Sequence, residues 1–188
     1  MISHPRAAFV LVAFAAACGP SGEGAASADP VAGPDPVAAV EAVLDRFHDA
    51  ASRADGETYF DLFDPEGVFL GTDATERWTV EQFRAYAKPY FDRGLGWTYI
   101  PVERHVTIAD DGSVAWFDER LDNEGLGETR GSGVLVRRAG AWLIAQYNLT
   151  IPVPNELAGE VVARIRELGR AADGAAEAAP DESTPADP

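Results

Sequence analysis

Between Trp97 and Ile151 the chain is made largely of residues that favour extended backbone, and only short turn signals interrupt it. The extended runs are Trp97–Ala109, Ser113–Asn123, Glu128–Arg138 and Ala141–Ile151; Asp111-Gly112, Glu124–Gly127 and Ala139-Gly140 separate them. Gly-containing turns this short reverse a strand onto its neighbour, and no helix fits between the runs. Four strands joined in this way form an antiparallel meander.

The residues before the meander follow a different period. Asp35-Pro36 reads as an N-cap with proline at the first helical position. Val37, Val40, Leu44, Phe47 and Ala51 then recur at helical spacing. His48 lies at the edge of this stripe near Glu41 and reads as a surface residue. Asp55-Gly56 ends the helix, and Asp55 caps a short second one carrying Tyr59, Phe60, Leu62 and Phe63, which Pro65 closes before a strand at Val68–Leu70. Thr79 with Gln82 forms a capping box that opens a third helix, which Pro89 bends or finishes. Three helices before an antiparallel sheet make an α+β domain. Asn155 caps a last amphipathic helix with Leu157, Val161 and Ile165 on one side.

Two-residue turns at Asp111-Gly112 and Ala139-Gly140 set the pairing. His105 then faces Asp118, Arg104 faces Glu119 and Glu103 faces Arg120; Leu135 meets Ile144 and Gly133 meets Gln146. Placing Asp118 beside Gly133 divides the sheet into two faces. One is largely apolar, with Val106, Phe117, Leu121 and Val134, and holds Tyr147 and the Arg104–Glu119 pair. The other carries Trp116, Leu135, Trp142 and Ile144 at one end, then His105, Asp118, Arg120, Gln146, Asn148 and two glycines. Glycines hollow a sheet surface, and a hollow with convergent polar groups suits a small molecule. The mixed face is therefore expected beneath the helices. The apolar face, too large to leave wet, is expected in a homodimer. The reverse assignment makes Arg104, Glu119, Arg130 and Tyr147 the interior polar groups.

The segments GVFLGTD, AWFDE, RGSGV and AWLIAQYNLT, with GTDATERWT, resemble the nuclear transport factor 2-like superfamily in its SnoaL-like branch. The resemblance spans Val37 to Pro154. It implies a cone-shaped α+β barrel, an interior cavity, dimers through the outer sheet face, and either enzymes of the cyclase, isomerase and dehydratase kinds or members without catalysis. Fold alone does not choose among these.

The one cysteine, Cys18, follows a continuously apolar run from Ala7 to Ala17 and precedes a Gly/Ala/Ser/Pro stretch. That run is shorter than the roughly 20 residues a membrane span needs. Its small-residue end is what a secretory signal carries at its cleavage site. The arrangement resembles a bacterial lipoprotein signal, departing from it at Ala15, where such signals usually carry Leu. The resemblance implies cleavage before Cys18 and a lipid on its thiol; the alternative is a soluble periplasmic or secreted protein. The expected organisation is a signal peptide at 1–17, a tether at 18–34, the domain at 35–154, the last helix at 155–170 and an acidic tail at 171–188. A net charge of −16, from 15 basic and 31 acidic residues, excludes nucleic acid as a partner of the whole surface.

For chemistry, His105 beside Asp118 offers a base and the carboxylate that fixes its tautomer, and Asp118 alone offers a base toward an acidic C–H. Arg120, Gln146, Asn148, Tyr59, Trp78 and Trp116 are the candidate ligand contacts. No metal-ligand spacing, phosphate-binding glycine loop or Ser/His/Asp set occurs, so no cofactor is implied. The amide-rich site favours a non-catalytic domain that binds a small, largely apolar ligand with a polar end. The alternatives are an isomerase, cyclase or dehydratase using Asp118 or His105, and a module that binds another protein.

Overall fold

The computed structural model describes residues 35–178. Cys18, the expected signal and tether, and the end of the acidic tail lie outside the described residues. Helix α1 (Pro36–Ser52) starts as its sequence dictates, with the Asp35 carboxylate accepting from the Val37 N–H at 3.0 Å. Its stripe Val40, Leu44, Phe47 and Ala51 is buried. Helix α2 (Gly56–Asp61) is capped by Asp55. Strand β1 (Phe63–Leu70) starts earlier than the expected Val68, because Phe63 already pairs with Ile144 and the register shifts before Val68. A short strand β2 (Arg77–Thr79), not legible in the sequence, precedes α3 (Val80–Phe91), whose capping box forms as expected. Pro89 sits in the last turn of α3, so the helix ends one residue pair beyond it.

The meander is strands β3 (Ile100–Ile108), β4 (Val114–Asn123), β5 (Gly127–Arg138) and β6 (Ala141–Thr150). All six strands form one curved sheet in the order β2-β1-β6-β5-β4-β3, with β1 parallel to β6 and the sheet left open. Helix α1 lies against β3 and β6 while α3 covers β1, so the core sits between one sheet face and the helices. The last helix, α4 (Ala158–Ala178), runs past the expected end at Arg170. It leaves Ile165 and Leu168 exposed. Among the described residues no helix is long and apolar enough to cross a membrane.

The pairing of β3 with β4 is the one expected, His105 with Asp118 and Arg104 with Glu119. The next pairing differs by one residue: Asp118 meets Ser132, and Gly133 meets Phe117. The cause is the turn. The Asn123 carboxamide oxygen accepts from the Gly125 and Leu126 N–H groups at 3.0 and 2.8 Å, and Gly127 takes φ +70°, so the loop is shorter than Glu124–Gly127 suggested. A second departure is a bulge between Leu135/Ile144 and Val134/Gln146. A shift of one residue exchanges the faces of a strand. Phe117, Glu119, Leu121, Gly131, Gly133, Leu135, Tyr147 and Leu149 consequently all face the helices. The expected inward set of Asp118, Gly133 and Gln146 is thus corrected to Gly133 alone.

Candidate functional site

The interior polar cluster begins with Glu119, buried to 1 % exposure between Phe117 and Leu121 on β4. Its Oε1 accepts from Tyr147 Oη on β6 at 2.9 Å and lies 2.7 Å from His48 Nε2 on α1. Its Oε2 accepts from Arg104 Nε on β3 at 2.7 Å. Arg104 also donates to Asp45 Oδ1 at 2.8 Å and to the Glu41 carbonyl at 3.3 Å, tying the sheet to α1. Burial works against a charged Glu119, yet the bonds from His48 and Arg104 outweigh it and hold its carboxyl below the usual carboxylate range. Burial, with the Glu119 charge beside it, pushes the Tyr147 phenol well above its ordinary value. Arg104 is likewise raised: burial opposes its charge, and Glu119 and Asp45 more than offset that.

Gly131 makes this cluster possible. A Cβ there would run into the Tyr147 hydroxyl and stand 2.9 Å from Glu119 Oε1. At Gly133 a Cβ would meet the Gln146 carbonyl and the Phe117 ring, so that glycine admits the bulged backbone of β6. The hollow expected from RGSGV is real and is filled by the polar cluster.

Above the cluster lies a cavity of about 230 Å³. His48 and Tyr147 form part of its wall, with Phe47, Ala51, Tyr59, Phe69, Phe83, Trp97 and Leu149 around them and Gly71, Thr72, Glu76, Trp78, Tyr86, Tyr90, Tyr99 and Leu126 completing the lining. All five tyrosines of the chain stand in it. The rings pack on one another: Phe69 and Phe83 stack at 4.0 Å between centroids, Phe47 and Tyr59 at 4.5 Å. The Glu119 carboxylate can only accept, so His48 Nε2 carries the hydrogen in this contact and Nδ1 is the ring's other nitrogen. His48 and Tyr99 also border a second hollow of about 240 Å³ with Asp45, Asp49 and Ser52. Among the described residues no group of three or more acidic, His or Cys side chains is placed to hold a metal ion.

Of the residues proposed from sequence, Tyr59 and Trp78 line the cavity. The others lie elsewhere. Asp118 and His105 pair across β3 and β4 as expected but on the outer face, where His105 Nε2 is 3.2 Å from Glu103 Oε1. Arg120 is exposed, 3.7 Å from Glu103 and 3.4 Å from Glu128. Trp116 is 49 % exposed on the same face. The β6 bulge turns Gln146 and Asn148 away from the cavity, opposite Val134 and Ser132. Of the interior polar groups of the reverse assignment, Arg104, Glu119 and Tyr147 are inside as that assignment expects, and Arg130 is exposed. His48, read as a surface residue, is buried and is the site's one imidazole.

Comparison with known families agrees with this arrangement: the family model described as the SnoaL-like domain matches residues 40–154. The chain belongs to the SnoaL-like domain family. Solved structures share the cone-shaped fold of this family at low sequence identity. A candidate dehydratase of the NTF2-like family from Streptomyces avermitilis aligns with a TM-score of 0.54 at 14 % identity, over 63 % of this chain and 96 % of that one. An NTF2-like protein of unknown function from Pseudomonas putida gives 0.53 at 12 % identity, over 64 % and 89 %. A Nostoc punctiforme protein of unknown function with a cystatin-like fold gives 0.52 at 15 % identity, over 61 % and 90 %. No curated protein matches the chain. These likenesses establish fold; function rests on the SnoaL-like cavity itself.

Proposed function

We propose that the SnoaL-like cavity binds a small, largely apolar, ring-bearing molecule whose polar end meets His48. One observation carries this reading: a histidine locked to a buried carboxylate is set into a wall otherwise made mainly of aromatic rings. Aromatic walls with few polar groups supply affinity through burial and orientation through those groups. The volume suits a ligand of one or two rings. Saturable quenching of tryptophan fluorescence by members of a library of one- and two-ring compounds is the expected result, since Trp78 and Trp97 line the cavity. A library without a single saturable binder overturns the reading.

A second reading, an isomerase, cyclase or dehydratase, is favoured by the same His48–Glu119 contact. A carboxylate fixes the imidazole tautomer and stabilises the imidazolium that forms when the ring takes a proton. The base is then His48, in place of Asp118 or His105. His48→Gln keeps a donor toward Glu119 and deletes the base. It should retain ligand binding and abolish deuterium exchange at an acidic C–H of the bound ligand in D2O. Exchange at the wild-type rate sinks this reading and leaves the binding reading standing.

The same proposal places the protein at the cell envelope through lipid on Cys18, and pairs two copies through the outer sheet face around Trp116, Val134 and Val136. Incorporation of labelled palmitate lost in Cys18→Ala, and a dimer mass in sedimentation equilibrium, test the two parts.

A further inference from the structure

The carboxylates that α-helices and strands bring close to arginine are neutralised there: Glu119 by Arg104, Asp64 by Arg138, Asp61 by Arg84. Glu76 is different. It is half-buried at the cavity wall, its carboxylate accepts only the Asp73 N–H at 3.2 Å, and among the described residues no lysine or arginine pairs with it. No Lys or Arg lines the cavity at all. Beside Glu76 stand Trp78 and Tyr86, centroids 4.6 Å apart and planes inclined by 34°, which makes a bent aromatic wall. The neighbouring Tyr90 already holds Arg93 over its ring at 5.5 Å, whereas no side-chain cation lies over Trp78 or Tyr86 among the described residues. Burial, and then Tyr90 and Glu76, push the Tyr86 phenol above its ordinary value.

Resting on the cavity-binding reading above, we infer that the ligand is an organic cation, an amine or quaternary ammonium. Its charged head lies between Glu76 and the rings of Trp78 and Tyr86, and its apolar part points toward Phe83 and Tyr59. The ring quadrupole and an unpaired carboxylate both favour positive charge at this spot. The net charge of −16 raises the local concentration of cations over anions. An anionic ligand would meet Glu76 with no lysine or arginine on the lining to offset it.

The test uses the full chain and two probes of one shape, benzyltrimethylammonium and its neutral carbon isostere, neopentylbenzene, titrated by tryptophan fluorescence. The cation should bind about tenfold more tightly than the isostere, and Glu76→Gln should remove most of that ratio. Isostere binding as tight as, or tighter than, cation binding overturns the organic-cation inference and leaves the cavity reading intact. A ratio unchanged in Glu76→Gln overturns the placement of the head group, and with it the inference. Failure of both probes to bind counts against the cavity reading as well. The urea midpoint of Glu76→Gln, expected to match that of the wild type, separates these outcomes from misfolding.

Discussion

Replacing Glu119 by Gln keeps the volume of the buried side chain and deletes its charge. Three groups lose an anion. Tyr147 can rotate its hydroxyl and His48 can exchange tautomer to meet a carboxamide N–H, so the Oε1 side repairs itself. Arg104 cannot accept a hydrogen bond, so the carboxamide oxygen must turn to it. There it offers a neutral acceptor where a carboxylate stood at 2.7 Å. Arg104 is itself 9 % exposed, and its remaining ionic partner, Asp45, is 67 % exposed. Breaking one side of a buried pair costs about 3–5 kcal/mol. Retention of one neutral bond and of Asp45 places this case near the bottom of that range, about 3 kcal/mol. With a urea slope of about 2 kcal/mol/M, the midpoint falls by roughly 1.5 M.

The sign of the pH dependence follows from the direction of the shift. The Glu119 carboxyl lies below its ordinary range in the folded protein. The unfolded chain therefore binds the proton first as pH falls. The stability that Glu119 contributes is complete above the unfolded value, about 4.3, and is lost as pH drops through the folded value. The part of the gap between wild type and Glu119→Gln that comes from the Glu119 carboxyl is thus full above about pH 4.3 and narrows below it. Other carboxylates, Asp64 among them, titrate in both proteins and cancel in the difference. Urea melts followed by tryptophan fluorescence from pH 7 to pH 3 measure it. A gap under about 1 kcal/mol at pH 7, or one that does not change over this range, refutes the argument that three donors hold a buried anion.

Gly131→Ala should destabilise by about 2–4 kcal/mol, because the new methyl takes the place of the Tyr147 hydroxyl and crowds Glu119 Oε1. Combining it with Tyr147→Phe should recover part of that loss, measured in the same melts; strict additivity of the two would show that the clash lies elsewhere. Asp118→Asn and His105→Gln, both on the outer face, should change stability by less than about 0.5 kcal/mol and leave binding of a cavity ligand unaltered. Loss of ligand binding in either would return the site to the opposite sheet face.

The architecture was written in local signals that tolerate small errors. The caps at Asp35, Asp55 and Thr79, the stripe of α1 and the turns of the meander each specify an element without reference to its neighbours. The site was not, because it depends on which way a strand faces, and that sign reverses with every residue of slip. The Asn123 turn and the β6 bulge each moved one residue, and together they brought Gly131, Gly133 and Leu135 onto the face of Phe117, Glu119, Tyr147 and Leu149; it is this face, and not that of Asp118, Gln146 and Asn148, that meets the helices. One clue is independent of register. Glu119 alternates with Phe117 and Leu121, so whichever face buries those two must bury it as well. A carboxylate so committed requires donors. Arg104, its partner already fixed by the Asp111-Gly112 hairpin, supplies one, and the stripe of α1 holds a second in His48, four residues after Leu44 and three before Ala51. An acid inside an apolar alternation, with a histidine inside a helical stripe, is the pattern that locates this site from sequence, since burial there leaves each the other as its means of satisfaction.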